Sequence, residues 1–377
     1  MNFNKFKPEF VLSVVTVLST LLFWSIFYFN LPPLLGFPGV TLETLYANYD
    51  GPNYMVIAKC GYSKDCIGQN FSLPLPLEYY PAHFPLYPIL IRFFSFFTLT
   101  TKAMLFTTLS GSVLLTLVSF HFFKKFVPLT KAFWLTLLFI FLPARLFVLR
   151  QIGAPESWFI SFILLSIIFF SRQRYFTSAI FAVLAQLLKS PGILLVTSFT
   201  IVQLFNYLKF KNSRYLTSLL PYSLVFVSIL ALFGLYQLQT GDFWAYFHSG
   251  DNIHLTFLPY QVFVSNRSWI NTIWLEDVVY IFLVSIFSLF FLYQKYRHKI
   301  YFIFPLIFVL ATVMVAHRDI SRYLSPVYPF IILALFYHQK VSLIKKALFL
   351  ISPAIVLFAI NFCIGNTAPI SNWQPYL

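Results

Sequence analysis

Stretches of about 17 to 25 mostly apolar residues recur from one end of the chain to the other, and about 20 such residues let an α-helix cross a bilayer. They predict spanning helices over 9–29, 102–123, 131–149, 155–171, 174–189, 190–208, 215–238, 277–294, 299–316, 321–338 and 343–364, eleven in all. The runs are continuous, whereas the strands of a membrane barrel alternate polar and apolar at every second position. The expected fold class is therefore an all-α integral membrane bundle of about 11 transmembrane helices.

Segment 84–98 is apolar but short, and it holds Pro85, Pro88 and Arg92. It reads either as a twelfth span or as a helix lying in the interface. Charge separates the two readings. If it does not span and the N-terminus is cytoplasmic, the inside segments contain Lys5, Lys7, Lys124, Lys125, Lys131, Arg172, Arg174, Lys209, Lys211, Arg214, Lys295, Arg297, Lys299, Lys340, Lys345 and Lys346. That is 16 of the 26 basic residues against a single acid, Glu9, which is the positive-inside bias. A spanning 84–98 would move most of these clusters outside and is rejected.

Two long extracytoplasmic loops follow, 30–101 and 239–276. The first opens on Pro- and Gly-rich breakers, then contains two helical stretches, 41–59 and 84–98, expected to lie along the interface. No internal repeat is visible, so 1–377 reads as a single integral-membrane domain.

Composition agrees. The chain is 59% hydrophobic and 10% charged, with a mean hydropathy of +0.79, too apolar for a soluble protein to bury. The net charge of +15 raises the question of nucleic acid, but the basic residues lie singly and in pairs between apolar runs and cover no one face. No nucleic-acid partner is expected; the partner is the lipid bilayer. The first apolar run has no small-residue cleavage site and reads as a retained helix. Cys60 and Cys66 both lie in the first outer loop. An oxidising exterior permits a disulfide there, but spacing alone leaves the pairing open.

Ionisable side chains crowd the outer ends of the predicted helices: Asp50, Glu78, His83, Arg92, Arg145, Arg150, Glu156, Lys189, Arg318, Asp319 and Arg322. Each has an ordinary explanation. Arginines and lysines snorkel to headgroups, Glu156 after Pro155 suits a helix N-terminus, and Arg318 could pair with Asp319. Together they make a basic outer rim with a few carboxylates, suited to the anionic head of a lipid. Asp50 precedes Gly51-Pro52 and so reads locally as a helix cap, although such a carboxylate also serves as a base if it faces a cleft.

The stretch Asn48-Tyr49-Asp50-Gly51-Pro52-Asn53-Tyr54-Met55-Val56-Ile57-Ala58-Lys59-Cys60-Gly61-Tyr62 resembles the Arg-Trp-Asp…Tyr…Ile-Ala…Gly-Tyr pattern of polytopic glycosyltransferases of the GT-C class, especially relatives of GPI mannosyltransferase 2. Phe84-Pro85-Leu86-Tyr87-Pro88-Ile89-Leu90-Ile91-Arg92 resembles the block that follows in that family, and Pro155-Glu156-Ser157, Leu188-Lys189-Ser190-Pro191-Gly192 and Arg322-Tyr323-Leu324-Ser325-Pro326 fall in its order and spacing. Asn48 and Tyr49 stand where that family has Arg and Trp, which keeps an aromatic neighbour and removes a cation. The resemblance implies a GT-C-like bundle and a polyprenyl- or dolichyl-phosphate-linked sugar donor, typically of mannose. It further implies an acceptor hydroxyl on a glycan, lipid or protein, and inversion at the anomeric carbon.

A phosphate leaving group needs no general acid, so one carboxylate suffices, and Asp50 is its candidate. Arg92, Arg145, Arg150, Lys189, Arg318 and Arg322 are candidates for the donor phosphate. Arg318 and Arg322, four apart, would share a face of continuous helix. Tyr54, Glu78, His83 and Glu156 are candidates for orienting the acceptor, and Glu78 with His83 could hold a divalent cation. A transporter or lipid flippase is the rival reading, but transporters commonly carry repeats and midplane charges. The compact chain, without a retrieval signal, points to a bacterial plasma membrane rather than an endoplasmic reticulum.

Overall fold

A computed structural model describes residues 7–250, 255–263 and 267–377. Lys5 falls outside the described residues. Among them the chain is helical, with two isolated β-bridges and no strand.

Among the described residues six helices are long and apolar enough to cross a membrane: Pro8–Tyr28, Thr100–Phe123, Ser190–Phe210, Arg214–Thr240, Trp274–Tyr296 and Val341–Gly365. The protein is a multi-pass membrane protein. The other five predicted spans coincide with shorter apolar helices, Leu129–Phe141, Glu156–Ser171, Tyr175–Gln186, Ile300–Val313 and Ser325–Phe336, each below the ~20 residues of a full crossing. Thr100–Phe123 is the central one. Its apolar stretch is 67% buried against 22–33% in the other five long helices, and it packs on Pro8–Tyr28, Leu86–Ser95, Leu129–Phe141 and Glu156–Ser171.

Proline explains why several predicted helices are shorter than their apolar runs, since it lacks the N–H and its ring clashes with the preceding turn. Pro143 splits 131–149 into Leu129–Phe141 and Ala144–Leu149. Pro191 turns the chain through Ser190–Gly192 before Ile193–Phe210, and Pro326 lies in a short turn between Ile320–Tyr323 and Tyr328–Phe336. In the first outer loop, 41–59 is two helices, Leu42–Tyr46 and Gly51–Cys60. The backbone breaks where Tyr49 takes φ 48°, a left-handed conformation costly for an aromatic residue. Segment 84–98 forms the ten-residue helix Leu86–Ser95, with Tyr87, Pro88 and Ile91 buried and Arg92 exposed. Cys60 and Cys66 are disulfide-bonded, their Cα atoms 5.6 Å apart across the turn at Gly61.

Contacts sort the helix ends into two groups. His121 Nε2 lies 3.9 Å from Glu9, Lys125 reaches Ser171 and Tyr301, Lys131 reaches the Tyr337 carbonyl, Lys345 sits over Trp134, and Phe205 meets His298. These ties join the helix ends beside the basic segments. At the opposite ends, Trp24 bonds Gln151, Tyr236 bonds Pro81, the Leu86 N–H bonds Leu187, and Asn48 donates to the Cys363 carbonyl. The candidate site lies in this second group.

Candidate functional site

A polar cavity of about 170 Å³ opens where five proline-marked turns converge. Asp50 enters from the turn before Gly51-Pro52, His83 from between Pro81 and Pro85, Lys189 from the extended residue before Ser190-Pro191-Gly192, and Arg322 from the four-residue helix ahead of Pro326. Glu156, the first residue of its helix after Pro155, stands behind them, fully buried. A helix end leaves backbone groups unpaired and fixes side-chain direction, so each break aims one charged group at a common point.

The four charges interlock. Arg322 donates from Nη2 to Asp50 Oδ2 at 3.0 Å and from Nε to Glu156 Oε1 at 2.7 Å. Lys189 Nζ reaches the same Glu156 oxygen at 2.8 Å, while Glu156 Oε2 is buried without a hydrogen-bond partner. His83 Nε2 lies 3.7 Å from Asp50 Oδ1. Although Asp50 stands at the cap position, its side chain makes no capping hydrogen bond. The cap reading from local pattern is therefore replaced by a carboxylate held by Arg322 and open to a cavity. Burial pushes the Asp50 carboxyl upward in pKa, but Arg322 and His83 outweigh it and hold the group well below the usual carboxylate range.

The turn carrying Asp50 is held from several sides. Asn48, buried, accepts from Asn366 and donates to Cys363, tying the turn to the end of helix Val341–Gly365. Tyr49 stacks on Phe362, accepts a hydrogen bond from Arg145 Nη1 at 2.8 Å, and presents its ring face to Arg322 at 4.5 Å. Gly153 permits the closest approach: a Cβ there would sit 2.9 Å from Gly51 Cα and 2.2 Å from Met104 Sδ.

The structure divides the predicted site residues. Asp50, Tyr54, His83, Lys189 and Arg322 line the cavity, and Glu156 braces it. Arg145 lies on the far side of Tyr49, paired with Asp319 at 3.3 Å. Arg318 does not share a face with Arg322, because the helix begins only at Ile320; it is exposed and reaches Asn366 instead of Asp319. Arg92 is exposed on helix Leu86–Ser95, outside the cavity lining. Arg150 is fully buried, donates to the Ile140 carbonyl, and leaves Nε and Nη2 without partners. Glu78 is exposed and bound to Lys64 at 2.9 Å, also outside the lining. Glu78 and His83 thus form no joint cation site, and among the described residues no cluster of three or more His, Cys, Asp or Glu could hold a metal. Sequence reasoning missed Tyr79, Tyr246, His317, Tyr323 and Ser325 as lining residues; Tyr323 and Ser325 adjoin Arg322 in the quoted Arg322–Pro326 block, which was the available signal.

Two larger grooves are apolar. One of about 920 Å³ runs between helices Pro8–Tyr28, Leu129–Phe141 and Val341–Gly365. Another of about 490 Å³ lies along Trp274–Tyr296 and Tyr328–Phe336, with Arg145, Asp277 and Arg318 at its polar end. The helix Ile320–Tyr323 stands between this groove and the polar cavity: Ile320 and Ser321 face the groove, Arg322 and Tyr323 the cavity. Comparison with family models, curated proteins and solved structures returns no match.

Proposed function

We propose that this protein is an integral-membrane glycosyltransferase of GT-C type. It transfers a sugar, mannose by the resemblance of its Asp50 block, from a polyprenyl- or dolichyl-phosphate donor to an acceptor hydroxyl, with inversion and with Asp50 taking the proton. The observation that carries this reading is the Asp50 carboxylate, free of a capping bond, opening into a small cavity whose cationic walls are Lys189 and Arg322. Acceptor attack needs a base on one face of the sugar and charge stabilisation for the leaving phosphate on the other. A cavity of about 170 Å³ is below the roughly 300–1,000 Å³ of sites for drug-sized ligands, which suits one sugar ring and its phosphate. The 490 Å³ groove across helix Ile320–Tyr323 suits the donor's lipid chain.

In this reading all eleven apolar helices are crossings, the basic segments are cytoplasmic, and the cavity faces the extracytoplasmic side of a bacterial plasma membrane. The test is transfer of labelled mannose from a polyprenyl-phosphate donor by the purified protein in lipid vesicles. Transfer by the wild type that is lost in a folded Asp50→Asn variant is the expected result. No transfer to any glycan, lipid or peptide acceptor offered removes the proposal.

A further inference from the structure

His83 is buried between two aromatic rings. Tyr54 meets its ring edge-on at 5.1 Å, and Tyr79 lies tilted against it at 5.3 Å. Its carbonyl accepts from the Tyr62 hydroxyl at 2.7 Å and its N–H bonds the Tyr80 carbonyl. Backbone and ring are therefore held in one orientation. A phenyl ring would fill this aromatic slot without the penalty the imidazole carries, for His83 Nδ1 is buried with no hydrogen-bond partner, and unsatisfied buried polar atoms in native proteins ask for an explanation such as catalysis. The other nitrogen, Nε2, faces Asp50 Oδ1 at 3.7 Å. Charge-assisted hydrogen bonds close to about 2.7–2.9 Å, so at this spacing no tight bond joins the two groups, and Nε2 is the imidazole nitrogen turned toward the carboxylate.

Building on the glycosyltransferase reading, we propose that His83 Nε2 takes the acceptor's proton onward from Asp50, so that the base is a carboxylate–imidazole pair. As the acceptor oxygen bonds to the anomeric carbon, its proton passes to Asp50 Oδ1. The anomeric carbon–phosphate oxygen bond breaks, and its electron pair leaves with the lipid phosphate. The proton then moves to His83 Nε2, giving an imidazolium and regenerating the carboxylate.

Charge favours this route. Asp50 and Glu156 balance Lys189 and Arg322. A phosphodiester donor brings one negative charge and leaves as a monoester that can carry two, and the imidazolium supplies the compensating positive charge. The Arg322 bond also makes Asp50 a poor place for the proton to stay. His317 lines the same cavity, but its Nδ1 lone pair is taken by the Asp319 N–H at 2.9 Å. The remaining titratable groups around the cavity are the phenols of Tyr54, Tyr79, Tyr246 and Tyr323, which stay protonated near neutrality.

The experiment measures kcat and KM for a polyprenyl-phosphate mannose donor with full-length protein in vesicles, across the range between about pH 5 and 8 in which imidazoles change charge. Wild-type kcat is expected to fall on the acid side of that range. His83→Gln is expected to lose that limb and about a hundredfold of kcat, with donor KM changed by less than about twofold. Free imidazole is expected to restore part of the rate to His83→Ala. A folded His83→Gln protein with the wild-type profile overturns the relay while leaving Asp50 as base. A wild-type profile flat across the range overturns it whatever the variants do, and a wild type that transfers no sugar overturns the glycosyltransferase reading and the relay together.

Discussion

Arg322 is the keystone of the cavity by geometry, and replacing it with Met tests this. The change removes two charge-assisted bonds, to Asp50 at 3.0 Å and Glu156 at 2.7 Å, each worth about 1.5–3 kcal/mol. The losses differ. The Asp50 side chain is 26% exposed and can regain water, whereas that of Glu156 is fully buried and keeps only Lys189, its second oxygen already unsatisfied. Breaking a buried pair by removing one partner costs about 3–5 kcal/mol. Because Lys189 remains, the expected destabilisation sits at the low end, about 3 kcal/mol.

The assay is thermal unfolding in detergent of wild type, Arg322→Met, Glu156→Gln and the double variant. If the cost is an uncompensated Glu156 charge, neutralising it returns much of the loss. The double variant should then be more stable than Arg322→Met, with a coupling of about 2 kcal/mol, within the range for contacting residues. A single variant that costs less than about 0.5 kcal/mol, the level of ordinary surface changes, refutes the keystone role. Additive single effects refute the coupling and place the loss in packing against Tyr49.

Asp50→Asn should lower transfer by about a hundredfold or more in a protein that still folds; retained turnover rules out Asp50 as base. The depressed Asp50 carboxyl contributes stability that is present above its unfolded pKa of about 3.9 and lost as pH falls below it. The melting difference between wild type and Asp50→Asn should therefore shrink as pH falls below about 4; a difference that persists unchanged there contradicts the Arg322 pairing. Gly153→Ala would drive a Cβ to 2.9 Å from Gly51 Cα, and overpacking of this kind costs about 1–3 kcal/mol; a melting temperature equal to wild type would show that the Asp50 turn yields freely. Single cysteines at Glu78 and His121 should label with an impermeant reagent from outside only and inside only, and outside labelling at 121 breaks the proposed topology.

Hydropathy located the helices well because apolar length is a property of the chain itself. It overran at Pro143 and Pro326, where continuous apolar runs hide a backbone that cannot continue. Prolines also mark the site: Asp50, His83, Glu156 and Lys189 each lie within two residues of one (Pro52, Pro81 and Pro85, Pro155, Pro191), and Arg322 lies four from Pro326. The rule is not selective, since Arg145 lies two from Pro143 yet faces away behind Tyr49. Partner choice was illegible. Nothing local says that Glu78 is taken by Lys64, that Arg145 rather than Arg318 holds Asp319, or that Arg322 reaches back 272 residues to Asp50. Spacing alone likewise left the Cys60–Cys66 bond open, because its closure depends on the Gly61 turn at φ 60°.

Those long-range pairings change what a basic rim means. Six cations drawn along the sequence suggested a surplus of positive charge waiting for phosphate, but the cavity holds two, and both already have carboxylate partners. An incoming anion therefore competes with Asp50 and Glu156 for Arg322 and Lys189, and does not fill an empty site. Competition at Arg322 has a chemical consequence. Under the proposed glycosyltransferase reading the donor phosphate shares Arg322 with Asp50, so the hold on the carboxylate loosens as the donor binds while enough of it remains to pass the proton on to His83. On that proposal binding and basicity are linked: the substrate that needs Asp50 as a base is the one that loosens its pairing with Arg322.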